Sequence, residues 1–310
     1  MPLLTRKRLI LAKTETTYAT DATPVGGDAI LVRNLDITPI ESDTVSRDLI
    51  RPYLGNSEQL LSNTRVGITF QVELAGSGTA GTAPKYDSLL KACGMSATIV
   101  ASTSVTYAPV SASFSSATIY FNNDGVLHKA TGCRGSFTMN CELGQIPTID
   151  FTMTGIYNAP TDTAAPVVTY AAQATPLIFK EGNTSNFSLL SYSGCLMSVN
   201  FDIANEVVYR ELIGCTKQVV ITNRAPSGEA VIEAPTIAAK DFFTIANSNT
   251  TGSLTFEHGT TAGNIVTFTA QKVDIGNPTY SDSDGIQMLN LPYVAIPTSA
   301  GNDEVSLIYT

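Results

Sequence analysis

The chain has no tryptophan and only two histidines, His128 and His258, among its 310 residues. Indole is the usual stacking platform for sugars, so its absence weighs against carbohydrate chemistry, although tyrosine can substitute. Neither histidine has a Glu-x-x-His or His-x-His neighbour, which leaves metal binding and a histidine general base without visible partners. Charge is scarce too, at 15% of residues, and the 18 Lys and Arg are outnumbered by 27 Asp and Glu for a net charge of -9. A surface that grips nucleic acid needs a cation surplus, so this balance tells against tight phosphate binding while leaving DNA free to pass nearby. A foldable chain that is 43% hydrophobic and this poor in charge is expected to have much of its surface covered by partners.

Long apolar runs are also lacking, so no membrane insertion is expected. The basic cluster Arg6-Lys7-Arg8 precedes only four apolar residues before Lys13, too few for a signal-peptide core, and a soluble protein made in the cytoplasm is expected. The five cysteines, Cys93, Cys133, Cys141, Cys195 and Cys215, form no Cys-x-x-Cys pair and read as free thiols in a reducing compartment. Catalytic signatures are absent: there is no Gly-x-Ser-x-Gly elbow, and no cysteine lies near a histidine within a motif. The triad Gly76-x-Gly78-x-x-Gly81 follows a strand and precedes a helix, but no βαβ alternation surrounds it and no acidic residue ends a following parallel strand. Tyr280 to Gly285 resembles a fragment of a calcium loop with the wrong residues at its first and twelfth positions, and reads as a β-turn. The sequons at Asn183, Asn186 and Asn249 carry little meaning without a secretory signal. These readings predict no enzyme, no cofactor and no metal.

What the chain does contain is a duplication. Asn34-Leu35-Asp36-Ile37 matches Asn200-Phe201-Asp202-Ile203, and Arg47-Asp48-Leu49-Ile50 matches Arg210-Glu211-Leu212-Ile213. The block GITFQVEL from Gly67 matches GEAVIEAP from Gly228, and KYDSLLKACG from Lys85 matches KDFFTIANS from Lys240. The matches keep their order while the offset shrinks, so the unit is a whole domain rather than a small solenoid repeat. Abundant Thr, Ser, Val and Ile, frequent period-two alternation and regular turn residues predict a mainly β protein, two tandem related β domains each with one helix. The first helix is expected between Pro84 and Gly94, with Tyr86, Leu89, Leu90 and Cys93 inward; the second is expected at 238–246. The expected organisation is an amino-terminal arm at 1–27, a first domain at 28–157 with a long loop at about 41–64, a proline-containing linker at 158–176 and a second domain at 177–310.

The long polar loop marks an intermolecular contact, with Arg47, Asp48, Arg51, Tyr53, Glu58 and Arg65 as candidates. Asp36, Glu73, Asp150 and Asp202 lie in or beside predicted strands, where alternation aims them away from the core; if those faces line a channel, its walls are negative.

With the repeat, the helix between strands and the long loop in view, the chain resembles the major tail tube proteins of long, flexible-tailed bacteriophages. LTRKRLILAKTETTYATDATP and NLDITPIESDTVSRDLIRPYLG carry the resemblance, which is best over the first 90 or so residues. It implies a β sandwich with a flanking helix, assembled in the host cytoplasm into rings of six such domains that stack in the virion tail. Their inner strands would join as an intersubunit β-barrel around a channel for DNA passage into the host. A duplicated chain would form trimers with pseudo-sixfold symmetry. The implied partners are further copies of itself, a tape-measure protein, a tail terminator and distal tail proteins. The loop at 41–64 and the amino-terminal arm would reach neighbouring subunits or rings. The alternative reading is a phage decoration or receptor-binding β protein. A contractile injection tube or a phage-derived bacteriocin also fits the sequence, and a β-sandwich glycan hydrolase would need paired carboxylates at a fixed separation.

Overall fold

The computed structural model describes residues 2–170 and 172–310; Met1 of the expected arm and Ala171 of the expected linker lie outside the described residues. The first half contains β1 (Arg8–Thr14), β2 (Ala29–Ile30), β3 (Arg33–Ser46), β4 (Gln59–Glu73), α1 (Asp87–Ala92), β5 (Met95–Val100), β6 (Ser104–Pro109), β7 (Ala117–Asn123), β8 (Val126–Glu142), β9 (Thr148–Tyr157) and β10 (Thr161–Asp162). The second contains β11 (Thr184–Leu189), β12 (Leu196–Asp202), β13 (Asn205–Arg210), β14 (Gln218–Arg224), β15 (Ser227–Glu233), α2 (Phe242–Asn247), β16 (Gly252–His258), β17 (Val266–Ile275), β18 (Thr279–Ser283), β19 (Ile286–Ala295) and β20 (Ser306–Tyr309). The protein is mainly β.

Both helices follow from local chemistry. Tyr86, Leu89, Leu90 and Cys93 are fully buried, and Gly94 leaves α1 at φ +80°, a conformation that costs glycine little. Asp241 caps α2 by accepting from the Thr244 amide at 2.9 Å, so the helix begins at Phe242, later than its apolar spacing suggests.

One antiparallel sheet runs through both halves in the order β3, β4, β9, β8, β12, β15, β19, with β18 beyond β19. Period-two alternation divides its faces. Ile68, Phe70, Val72, Phe137, Met139, Ile149, Phe151, Val199, Phe201, Ala230, Ile232, Leu289 and Leu291 point into the core. Outer strands close the other side of this core: β2, β1 and β7 on the first part of β8, and β11, β16, β17, β20, β6 and β5 in sequence. The core does not stop between the halves. Phe70 stacks on Phe151 at 5.6 Å, Phe151 meets Phe137, Phe137 meets Phe201 across β8 and β12 at 6.2 Å, and Phe201 meets Phe268 at 5.2 Å. Contacts of this kind add to the burial of large rings and resist separation of the halves.

Four expectations change. Residues 8–14 of the expected arm form β1, fully paired with β7, so, among the described residues, 2–7 precede this strand. Residues 41–46 and 59–64 of the expected loop are strand, because β3 and β4 stay paired out to Ser46 and Gln59. The strand that the sequence predicts at 125–142, broken by a turn near Gly132, is continuous as β8, and Gly132 sits in a bulge at φ +61°. Finally, Gly67 and Gly228 are out of phase: Gly67 lies on the face opposite Ile68 and Phe70, whereas Gly228 shares the core side with Ala230 and packs under the Tyr293 ring. A one-residue slip reverses a strand's faces, so the repeat alignment holds only after β15 is shifted.

Candidate assembly surfaces

The sheet face away from the core gathers all four predicted acidic residues. Registered rows run from Gln71 through Asp150, Thr138 and Asp202 to Ser227, and from Glu73 through Thr148, Asn140 and Asn200 to Glu229, while Asp36 stands opposite Thr69. Directly paired antiparallel residues share a face. Glu142, Glu229 and Asp274 also lie on it, paired with Ser198, Asn200 and Val294. Strand alternation alone could have found these three. Arg33 offsets part of the charge through an ion pair with Glu73 at 2.6 Å. Asp150 accepts from Asn140 Nδ2 at 2.7 Å, while its other carboxylate oxygen is buried without a partner.

Burial raises the Asp150 carboxyl above the ordinary aspartate range, outweighing the neighbouring Gln71 and Asn140 side-chain amides that lower it. The folded state therefore holds this proton more tightly than the unfolded chain, and its contribution to stability is lost as pH rises from the unfolded aspartate range through the raised folded value. Asp150→Asn is expected to raise the melting temperature of the monomer at pH 7 by about 1–2 °C, the scale of a partly solvated group, and to flatten that acid-range slope. Thermal melts between pH 4 and pH 7 check this.

The predicted contact residues sit on a β-hairpin arm formed by the outer parts of β3 and β4. Arg47 bonds Glu58 across its tip at 2.8 Å, Asp48 takes φ +38°, and the Arg51 guanidinium lies 6.0 Å from the Tyr53 ring. Arg65 is set back in β4, bonded to Glu41 at 2.5 Å and 3.7 Å from Asp43, so it braces the arm rather than ending it. The polar reading missed the arm's exposed apolar residues: Val45 and Leu60 form a cross-strand pair, each 54% exposed, and Leu49, Ile50, Leu54 and Leu61 are exposed as well. Large exposed apolar groups clustered on one projection mark an interaction surface.

The second half has its own hairpin, β13 with β14, and the repeated Arg-acid-Leu-Ile block falls at both tips, leaving Ile50 and Ile213 fully exposed. This hairpin folds onto the first half of the same chain. The Val219 amide donates to Tyr18 Oη at 2.6 Å, Arg134 Nη1 donates to Val219 O at 2.8 Å, and Asn205 Nδ2 donates to the carbonyls of Cys93 and Gly135. The glycine triad has a packing role: the Gly78 amide donates to Gly263 O at 2.9 Å, and a Cβ on Gly76 would overlap that same carbonyl. His258 is likewise structural, bonded to Thr184 and Leu177 O, with burial lowering its pKa.

Among the described residues no group of three or more His, Cys, Asp or Glu is placed to hold a metal ion, and no helix is long and apolar enough to cross a membrane. An acidic sheet face with open strand edges and projecting hairpins defines a structural β protein equipped for association. The chain belongs to the phage tail tube protein family, whose model matches residues 5–295. It is thus a structural component of a bacteriophage virion tail, from a family that self-assembles into a tube with other tail proteins. No curated protein matches it.

Proposed function

We propose that the chain is a non-enzymatic subunit built from two tandem related domains, 28–157 and 177–310, whose trimers form pseudo-sixfold rings. These rings stack around a channel lined by the acidic sheet face. The carrying observation is the continuous sheet, which keeps both halves in one surface with carboxylates on a single face and, among the described residues, leaves β3 and β18 at its two edges with one partner strand each. Exposed edges invite uncontrolled pairing, and closure into a barrel across subunits removes them. A head-to-tail contact that closes gives a ring, and a second contact along the axis gives an open stack. Negative walls repel phosphate, so DNA passes without specific binding on its way into the host.

On this reading the subunits assemble in the host cytoplasm with a tape-measure protein that sets length, a tail terminator and distal tail proteins. Electron microscopy of the concentrated protein, alone and with initiator tail proteins, tests it. Rings or tubes with an open centre are expected. Particles that stay monomeric under both conditions contradict it and favour a decoration or receptor-binding role.

A further inference from the structure

The joint between the two halves of the chain specifies the joint between two chains. β8 uses one edge twice: its first part pairs with β7, and Thr138 to Glu142 pair with Asp202 to Ser198 of β12. In the second half, β17 pairs with β16 as far as Val273, and beyond that point the same edge, from Asp274 through β18, pairs with no strand of the chain among the described residues. β12 lies between β8 and β15, whereas its counterpart β3 has β4 on one side and, among the described residues, no strand on the other.

The registers align these positions. The row Asp36, Thr69, Thr152, Ser136 in the first half has the same strand order as Asp202, Ser227, Val294, Asp274 in the second. Asp274 therefore corresponds to Ser136, and Gly276, two residues on, to Thr138. Because Thr138 faces Asp202 and Asp202 corresponds to Asp36, we infer that β3 of one copy pairs antiparallel with the β17–β18 edge of the next, with Asp36 opposite Gly276.

A second observation supports the same contact. Ser136 Oγ accepts from the Asn205 amide at 3.1 Å where the β13–β14 hairpin crosses it. At the corresponding place Asp274 has one carboxylate oxygen buried without a partner, in a recess of about 350 Å³ lined by Gly276, Pro292, Tyr293 and Val294. A buried acceptor without a donor is costly, and the β3–β4 arm of the neighbouring copy, crossing as β13–β14 does within the chain, brings donors to it. Its exposed Val45 and Leu60 correspond, through the matched Arg47 and Arg210, to the cross-strand pair Val208 and Val220, which is half-buried within the chain, and would be partly covered in the same way. The ring partner is thus a second copy of this chain, and the inference rests on the tail tube reading.

Directly opposed antiparallel residues are close enough for a disulfide. In full-length protein carrying Cys195→Ser and Cys215→Ser, the pair Asp36→Cys and Gly276→Cys is expected to give linked dimers and trimers on non-reducing gels after mild oxidation. Gly276 can take this change, since an added Cβ meets only ordinary contacts and its φ is unstrained. The pair Thr138→Cys and Asp202→Cys should close within one chain and give no ladder. Asp274→Ala should raise the concentration needed for assembly about tenfold, the effect of one buried hydrogen bond. Rings without the Asp36–Gly276 link, but with one between Asp36→Cys and Ser281→Cys, would overturn this register and leave the tube reading standing. Failure of the unsubstituted protein to form rings, even with initiator tail proteins, would remove the reading and the inference together.

Discussion

Replacing residues 48–57 with a two-residue turn is expected to abolish tube growth and to leave the monomer folded. The deletion removes Leu49, Ile50, Tyr53 and Leu54 and none of the core. The last cross-strand pairs of the arm, Val45 with Leu60 and Ser46 with Gln59, stay in place, so a tight turn can join them. Exposed tips contribute little to monomer stability, and the melting temperature is expected to move by no more than about 2 °C. Sedimentation and microscopy of the same sample separate the two effects. Tubes of normal length from the shortened protein would show that the tip takes no part in assembly.

Glu15→Ala is expected to destabilise the monomer by about 3–5 kcal/mol, near the upper end for a single substitution, because it strips four donors of one buried acceptor. The Glu15 carboxylate takes hydrogen bonds from Ser116 Oγ, Thr118 Oγ1, and the amides of Gly132 and Ala19, at 2.5–2.8 Å. It thereby fixes the end of β1 to β7 and to the bulge in β8. The hydroxyls can rotate towards other acceptors, but the amides cannot. Glu15→Gln keeps one oxygen and turns an amide donor towards existing donors, so roughly half of the loss is expected to remain. Urea unfolding of the three proteins checks the order; equal midpoints would mean that water replaces the carboxylate.

Much of this architecture could be read locally. Tyr86, Leu89, Leu90 and Cys93 at helical spacing before Gly94 located α1, and alternation located the acidic face, because period two needs only adjacent residues. The arm escaped because β3 beyond Thr38 buries neither face, carries Ile40 and Val45 out of period-two phase and is interrupted by bulges, so no apolar alternation marks it. The pairing of β8 with β12, and of β20 with β6, joins residues far apart in the chain and leaves no local trace. The sequence matches of Asn34 to Ile37 and of Arg47 to Ile50 can be read directly, yet the glycine-based match of β4 with β15 is out of phase. A shared glycine does not report which face a strand presents, whereas buried Ile68 and Ala230 do.

The most direct test of the account is a cryo-electron microscopy reconstruction of the assembled tube at a resolution that traces side chains. Threefold rings with a sixfold-like outline are expected, with β3 joined to the β17–β18 edge of the next copy and Asp36, Glu73, Asp150 and Asp202 facing the lumen. A reconstruction that places this sheet face against a neighbouring subunit or on the outer wall would contradict it.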